Sequence, residues 1–166
     1  MKLLDLFAGN KNLVKVDAQE LENVRGQLEA INRVQAVIEF ALDGTILHAN
    51  ENFLTLTDYR LDEIKGRHHS MFVDSDYRAS SAYRKFWDSL ARGEYEAGQY
   101  KRFGKDNKEI WIQASYSPIL DVNGRVIKVV KYATDITQEA VKKMNAQHEM
   151  NRVLGALSST SSCVMV

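Results

Sequence analysis

The chain has 166 residues, 45% of them hydrophobic and 27% charged, enough for one domain of ordinary size with extensions and too few for two full cores. Its 22 basic and 22 acidic side chains cancel, which excludes attraction to nucleic acid or to an anionic membrane surface by bulk charge. The one cysteine, Cys163, stands without a CxxC or CxxCH motif, so an internal disulfide, a zinc knuckle and covalently attached haem are excluded and a reducing cytoplasm is expected.

The N-terminal run MKLLDLFAGNKNLVKV starts with a lysine and leucines, but Asp5, Asn10 and Lys11 interrupt it, so no secretory signal is read there. Asp17 and Glu20 have capping-box spacing ahead of Leu21, Val24, Leu28 and Ile31 at a/d intervals, which predicts an amphipathic helix. That helix serves as a homodimer seam, as a lid on the domain, or as an element packed on its own core. Apolar stretches such as 37–42 stop well short of the roughly 20 residues of a spanning helix, and no membrane insertion is expected within the chain.

VIEFALDGTILHAN predicts two strands around a turn at Asp43-Gly44. Short helical turns follow over 51–59 and 61–65. A longer helix over 77–92 carries Tyr83, Phe86, Trp87 and Leu90 on one apolar stripe and ends at Gly93. Strands return with YEAGQYKRF, EIWIQASYSPIL and RVIKVVKYATDI, parted by the turns KDNK and DVNG. In the middle one, Ile110, Ile112, Ala114 and Tyr116 share one face and Trp111, Gln113 and Ser115 the other. After Thr137 a second flanking helix, QEAVKKMNAQHEMNRVLGAL, is expected, with SSTSSCVMV as a loop and the first residues of a further strand.

This order predicts an α+β fold, a five-stranded antiparallel sheet with short helices on one face and flanking N- and C-terminal helices. The divisions expected are an N-terminal segment and helix over 1–34, an α+β domain over 35–137, and a connecting helix with the start of a following domain over 138–166. The concave face of such a sheet leaves an apolar space under the longest helix, where a small ligand is expected.

The segments ALDGTILHANENFLTLTDYRLDEIKG and KDNKEIWIQASYSPILDVNGRVIKVVKYATDIT, with the closing Asp135-Ile136-Thr137, resemble the PAS family over 35–137. The motifs His68-His69-Ser70-Met71 and Phe86-Trp87-Asp88-Ser89-Leu90, continuing to Gly93-Glu94, are similar to those of PAS modules in bacterial chemoreceptors of the aerotaxis and biofilm-dispersal type. The resemblance implies a sensory input module of a methyl-accepting chemotaxis-type receptor. It implies a downstream signalling domain as partner and a relay through the helix after Thr137, and the a/d row of the N-terminal helix adds a homodimer.

Likeness to flavin-binding PAS domains of aerotaxis-type receptors implies FAD for redox or oxygen sensing, held by Asn50, His69 and Trp87, with Ile112 and Ala114 on the pocket face. An indole wall with amide and imidazole donors suits a planar ring with one polar edge. Where the likeness calls for an Arg-His pair, this chain has Val73-Asp74. Each residue also has a structural reading: Asn50 as the N-cap of the helix that follows, Trp87 as a core residue, His69 as a buried hydrogen-bonded histidine. The alternatives are b-type haem bound by His69 or His68, or a cofactor-free dimerisation module working through Leu21, Val24, Leu28 and Ile31. Flavin–thiol photochemistry is excluded because 35–137 contains no cysteine. Lys131, in an otherwise apolar strand, either holds an anionic group or lies at an exposed sheet edge. With no Gly-rich phosphate loop, no H-E-x-x-H and no nucleophile beside a base, enzymatic activity is not expected.

Overall fold

Asp43 and Gly44 set the first hairpin. Gly44 takes a φ of +86°, a conformation that favours glycine, and the turn closes with bonds from the Ala41 amide to the Thr45 carbonyl and from the Gly44 amide to the Ala41 carbonyl. A Cβ on Gly44 would also lie 2.6 Å from His68 Nε2 and 3.0 Å from the Trp87 ring, so the turn is packed as well as bent.

The computed structural model describes residues 18–161. The Asp17 cap, the N-terminal run, Cys163 and the expected strand start in 162–166 lie outside the described residues. Two units part between Val34 and Gln35. The first holds α1, Ala18–Val34, none of whose residues is buried; Leu21, Val24, Leu28 and Ile31 are exposed.

The second unit carries β1 (Ala36–Phe40), β2 (Ile46–Ala49), α2 (Glu51–Thr57), α3 (Leu61–Ile64), a 3-10 turn (His69–Phe72), α4 (Ser75–Ala79), α5 (Ser81–Ala91), β3 (Glu96–Phe103), β4 (Glu109–Leu120), β5 (Val126–Asp135) and α6 (Thr137–Ser161). The strands form one five-stranded sheet in the order β2-β1-β5-β4-β3, each neighbouring pair antiparallel. Alternation sends Ile38 and Phe40 of β1, Ile112, Ala114 and Tyr116 of β4, and Val129 and Ala133 of β5 into one core. Phe53 and Leu54 of α2 and Phe86, Trp87 and Leu90 of α5 cover it.

Two expectations need correction. The helix expected over 77–92 is broken at Ser80, whose backbone is extended (φ −74°, ψ 157°). The Ser80 hydroxyl accepts from the Tyr83 amide and donates to the Tyr77 carbonyl, so a short polar side chain takes over backbone bonds that a continuous helix would use. The loop expected after Leu157 is instead the last turns of α6, which runs to Ser161; serine costs only about half a kcal/mol against alanine in a helix, and the turns before it propagate. The sequence boundary at 137/138 thus falls at the first residues of α6.

Gly104, at the end of β3, fixes where α2 stops against the sheet: a Cβ there would stand 2.5 Å from the Thr57 carbonyl oxygen. The same turn is tied to the α2–α3 region by ion pairs Lys105–Glu63 and Lys108–Asp58.

Candidate functional site

Lysine and arginine are almost never fully buried without a partner, yet Lys131 of β5 and Arg102 of β3 are only 1% and 5% exposed. They line a cavity together with Thr57 at the end of α2. Phe53, Leu56, Phe72, Ile110, Ile112 and Ala133 complete its wall. The free space among these side chains is small, with room for about one water.

Lys131 belongs to β5, flanked on both sides by other strands, opposite Ile38 on β1 and Tyr116 on β4. The exposed-edge reading of Lys131 is therefore wrong. Its Nζ lies 5.6 Å from the centre of the Phe53 ring and 5.1 Å from that of Tyr116, and among the described residues no carboxylate pairs with it. Burial, with the Arg102 charge adding, pushes the ammonium well below the usual lysine range. Arg102 stacks 4.6 Å from the Tyr100 ring centre, donates from Nη1 to the Lys101 carbonyl at 2.8 Å, and donates from Nη2 to the Tyr116 hydroxyl at 3.4 Å. Its Nε is buried without a hydrogen bond.

From Arg102 a polar chain runs into the aromatic core. His69 is fully buried, with Nε2 3.0 Å from the Tyr116 hydroxyl and Nδ1 2.9 Å from the Tyr83 hydroxyl. An arginine can only donate, so the Tyr116 hydroxyl accepts from Arg102 at oxygen, and a neutral His69 donates from one ring nitrogen and accepts at the other, bridging the Tyr116 and Tyr83 hydroxyls. Burial drives the imidazole well below its ordinary pKa, with the charges of Lys131, Arg102 and His68 adding, so His69 is neutral. Desolvation likewise raises the Tyr83 hydroxyl to about 12 and moves Tyr116 upward.

The sequence places the interior space between Asn50, His69 and Trp87; in the structure that region is filled by side chains. Asn50 caps α2, its Oδ1 accepting from the Phe53 and Val37 amides while Nδ2 donates to the Gln35 carbonyl, so the amide clamps α2 to the start of β1. Trp87 is buried edge-on to Phe40, His69 and Phe86, at ring-centre distances of 5.5, 5.4 and 5.7 Å. Its Nε1 lies beside the Tyr83 hydroxyl without a hydrogen bond of standard geometry. Ile112 lines the cavity, whereas Ala114, also buried, sits between Gly98 and Ala133 in the ladder and outside the lining. His68 caps the 3-10 turn: Nδ1 accepts from the Ser70 amide and Nε2 donates to the Asp43 carbonyl at 2.7 Å. Arg102 and Thr57 escaped the sequence reading. The available sign was register, since YEAGQYKRF puts Arg102 on the same face as Tyr100.

The model of the PAS fold matches residues 46–133. The chain belongs to the PAS family. Within that family this PAS domain is similar to chemoreceptor-type proteins. It is 44% identical over 137 residues to the biofilm dispersion protein BdlA of Pseudomonas aeruginosa, covering 82% of this chain and 32% of that protein. It is 27% identical over 119 residues to the aerotaxis receptor of Escherichia coli, covering 68% of this chain and 23% of that one. The chain thus spans about a third of the length of the first of these curated relatives and less of the second. Among solved structures, the PAS domain of a Colwellia psychrerythraea protein superposes with a TM-score of 0.61 at 20% identity, covering 70% of this chain and 98% of that one.

A flavin does not fit the PAS core as it stands. Pockets for ligands of that size hold about 300–1,000 Å³, the free space admits one water, and the amide of Asn50 and both nitrogens of His69 are already bonded within the protein. Haem fares no better, since both nitrogens of His68 are engaged as well and an axial ligand needs a free one. Among the described residues no group of three or more His, Cys, Asp or Glu is placed to hold a metal ion, and no helix is long and apolar enough to cross a membrane.

Proposed function

We propose that the chain is a sensory input module of a chemotaxis-type receptor, in which a small ligand in the cavity beside Ile112 alters the hold of β4 on α6. The carrying observation is a single stretch of β4. Ile110 and Ile112 face the cavity, while Trp111 between them donates its amide proton to Thr137 Oγ1 at 3.0 Å and accepts the Ile136 amide at its carbonyl at 2.9 Å. Ile112 also stands opposite Asp135 in the ladder, and the Asp135 carboxylate accepts from the Thr137 amide and hydroxyl. A strand that shifts to admit a ligand therefore shifts the first turn of α6, which is the two-state requirement for a relay.

Filling the cavity covalently is the test. Ile112→Phe is expected to change amide exchange over 136–144 by about threefold or more while leaving β1 and β2 within about 1 kcal/mol of their protection. Unchanged exchange at the start of α6 would sink the relay.

The resemblance to flavin-binding PAS domains is the support for FAD as the ligand, with Asn50, His69 and Trp87 around it; the packing just described is the argument against it and favours a smaller molecule. The module works as a cytoplasmic homodimer and passes its state to a signalling domain beyond α6. The exposed a/d row of α1 supports the dimer: Leu28→Asp is expected to turn a dimer into a monomer in light scattering, and a protein monomeric before the substitution would remove the seam.

A further inference from the structure

Lys131 and Arg102 are two buried cationic side chains on one cavity, and among the described residues neither has an acidic partner. A buried charge without a counter-charge is costly, and a fold keeps one at the expense of stability. Here polar capacity is left over on residues that line the cavity: Lys131 has ring faces for neighbours, and Arg102 Nε is buried and unpaired while Nη1 and Nη2 each make one hydrogen bond. Thr57 adds a hydroxyl, which donates to the Phe53 carbonyl at 2.8 Å and keeps its lone pairs.

We propose that this cavity is a binding site for a small organic carboxylate, whose head takes the water-sized space between Lys131 and Arg102 and whose short alkyl body lies against Leu56, Phe72, Ile110 and Ile112. An organic rather than inorganic anion follows from the wall, which is apolar apart from Thr57 and the two cations. A monocarboxylate rather than a larger acid follows from the size, since the free volume is small and α2 with Leu56 must move outward to admit even a few carbons. An anion there removes the cost of the unpaired cations and supplies Arg102 Nε with an acceptor, so charge-assisted bonds form only when the ligand is present. The proposal rests on the sensory reading only in taking the same cavity; the site stands without the relay.

The probe is sodium butyrate, titrated by calorimetry and followed by thermal unfolding of the whole chain at constant ionic strength. Butyramide serves as the neutral analogue, with chloride and phosphate as inorganic anions. Butyrate is expected to bind and raise the melting temperature, and butyramide to bind about tenfold more weakly or worse. In Lys131→Met, which keeps the volume and loses the cation, butyrate affinity is expected to fall by at least about tenfold while the unliganded protein melts no lower than the parent. Arg102→Gln is expected to weaken butyrate in the same direction. Equal binding of butyrate and butyramide, equal protection by chloride or phosphate, undiminished binding to a folded Lys131→Met, or no binding by acetate, butyrate or hexanoate would each overturn the site. Butyrate binding that leaves amide exchange over 136–144 unaltered would spare the site and defeat the relay.

Discussion

Trp87→Ala is expected to lower the unfolding free energy by about 3–5 kcal/mol, the range for deleting a large aromatic side chain from a core. Trp87 is buried where α5 crosses the sheet, edge-on to Phe40, His69 and Phe86. Its ring also closes on Gly44, where even a Cβ would approach to 3.0 Å. Removing the indole therefore opens a void bordered by strands, the hairpin turn and α5, none of which can collapse into it without losing other contacts. A urea unfolding midpoint reads the effect. A loss below about 1 kcal/mol would mean that the region between Asn50, His69 and Trp87 is loosely filled, contrary to the packing described.

Acid is expected to destabilise the protein through His69. In the folded state burial holds the imidazole well below the ordinary histidine value of 6.5, so the native protein excludes a proton that the unfolded chain accepts. The unfolded state then binds more protons as pH falls through 6.5, and stability declines on the acid side by up to about 1.4 kcal/mol per pH unit. Lys131 acts with the same sign at higher pH: its folded pKa is depressed, so its burial costs stability below the unfolded value of 10.5 and the cost is relieved as pH rises towards it. His69→Gln keeps hydrogen-bonding capacity for Tyr83 and Tyr116 and removes the titration. Unfolding compared between about pH 7.5 and 5.5 should show a shallower acid slope in that variant; equal slopes would assign the acid sensitivity to other groups.

The sheet was legible because its pattern is local. The Asp43-Gly44 turn, the alternation in EIWIQASYSPIL and the short helices after Asn50 each carry period and turn chemistry within a few residues. The break at Ser80 was hidden because a serine just ahead of an apolar stripe reads the same whether its hydroxyl faces solvent or takes the backbone. The site was harder still. Asn50, His69 and Trp87 were recognisable as special residues, but whether they surround a space or fill it depends on the volumes of Phe40, Phe86 and Tyr116, brought together from distant segments. Lys131 illustrates the same limit. Its apolar strand context fits an edge and an interior equally well, and only the strand order, with β5 between β1 and β4, decides.

A core that keeps its free volume beside Lys131 and spends Asn50, His69 and Trp87 on packing is tested most directly by the visible absorption spectrum of the freshly purified chain. A colourless protein that stays folded is the expected result. A flavin or Soret band co-purifying in proportion to the protein would contradict it, because either cofactor requires the aromatic core to stand open around His69.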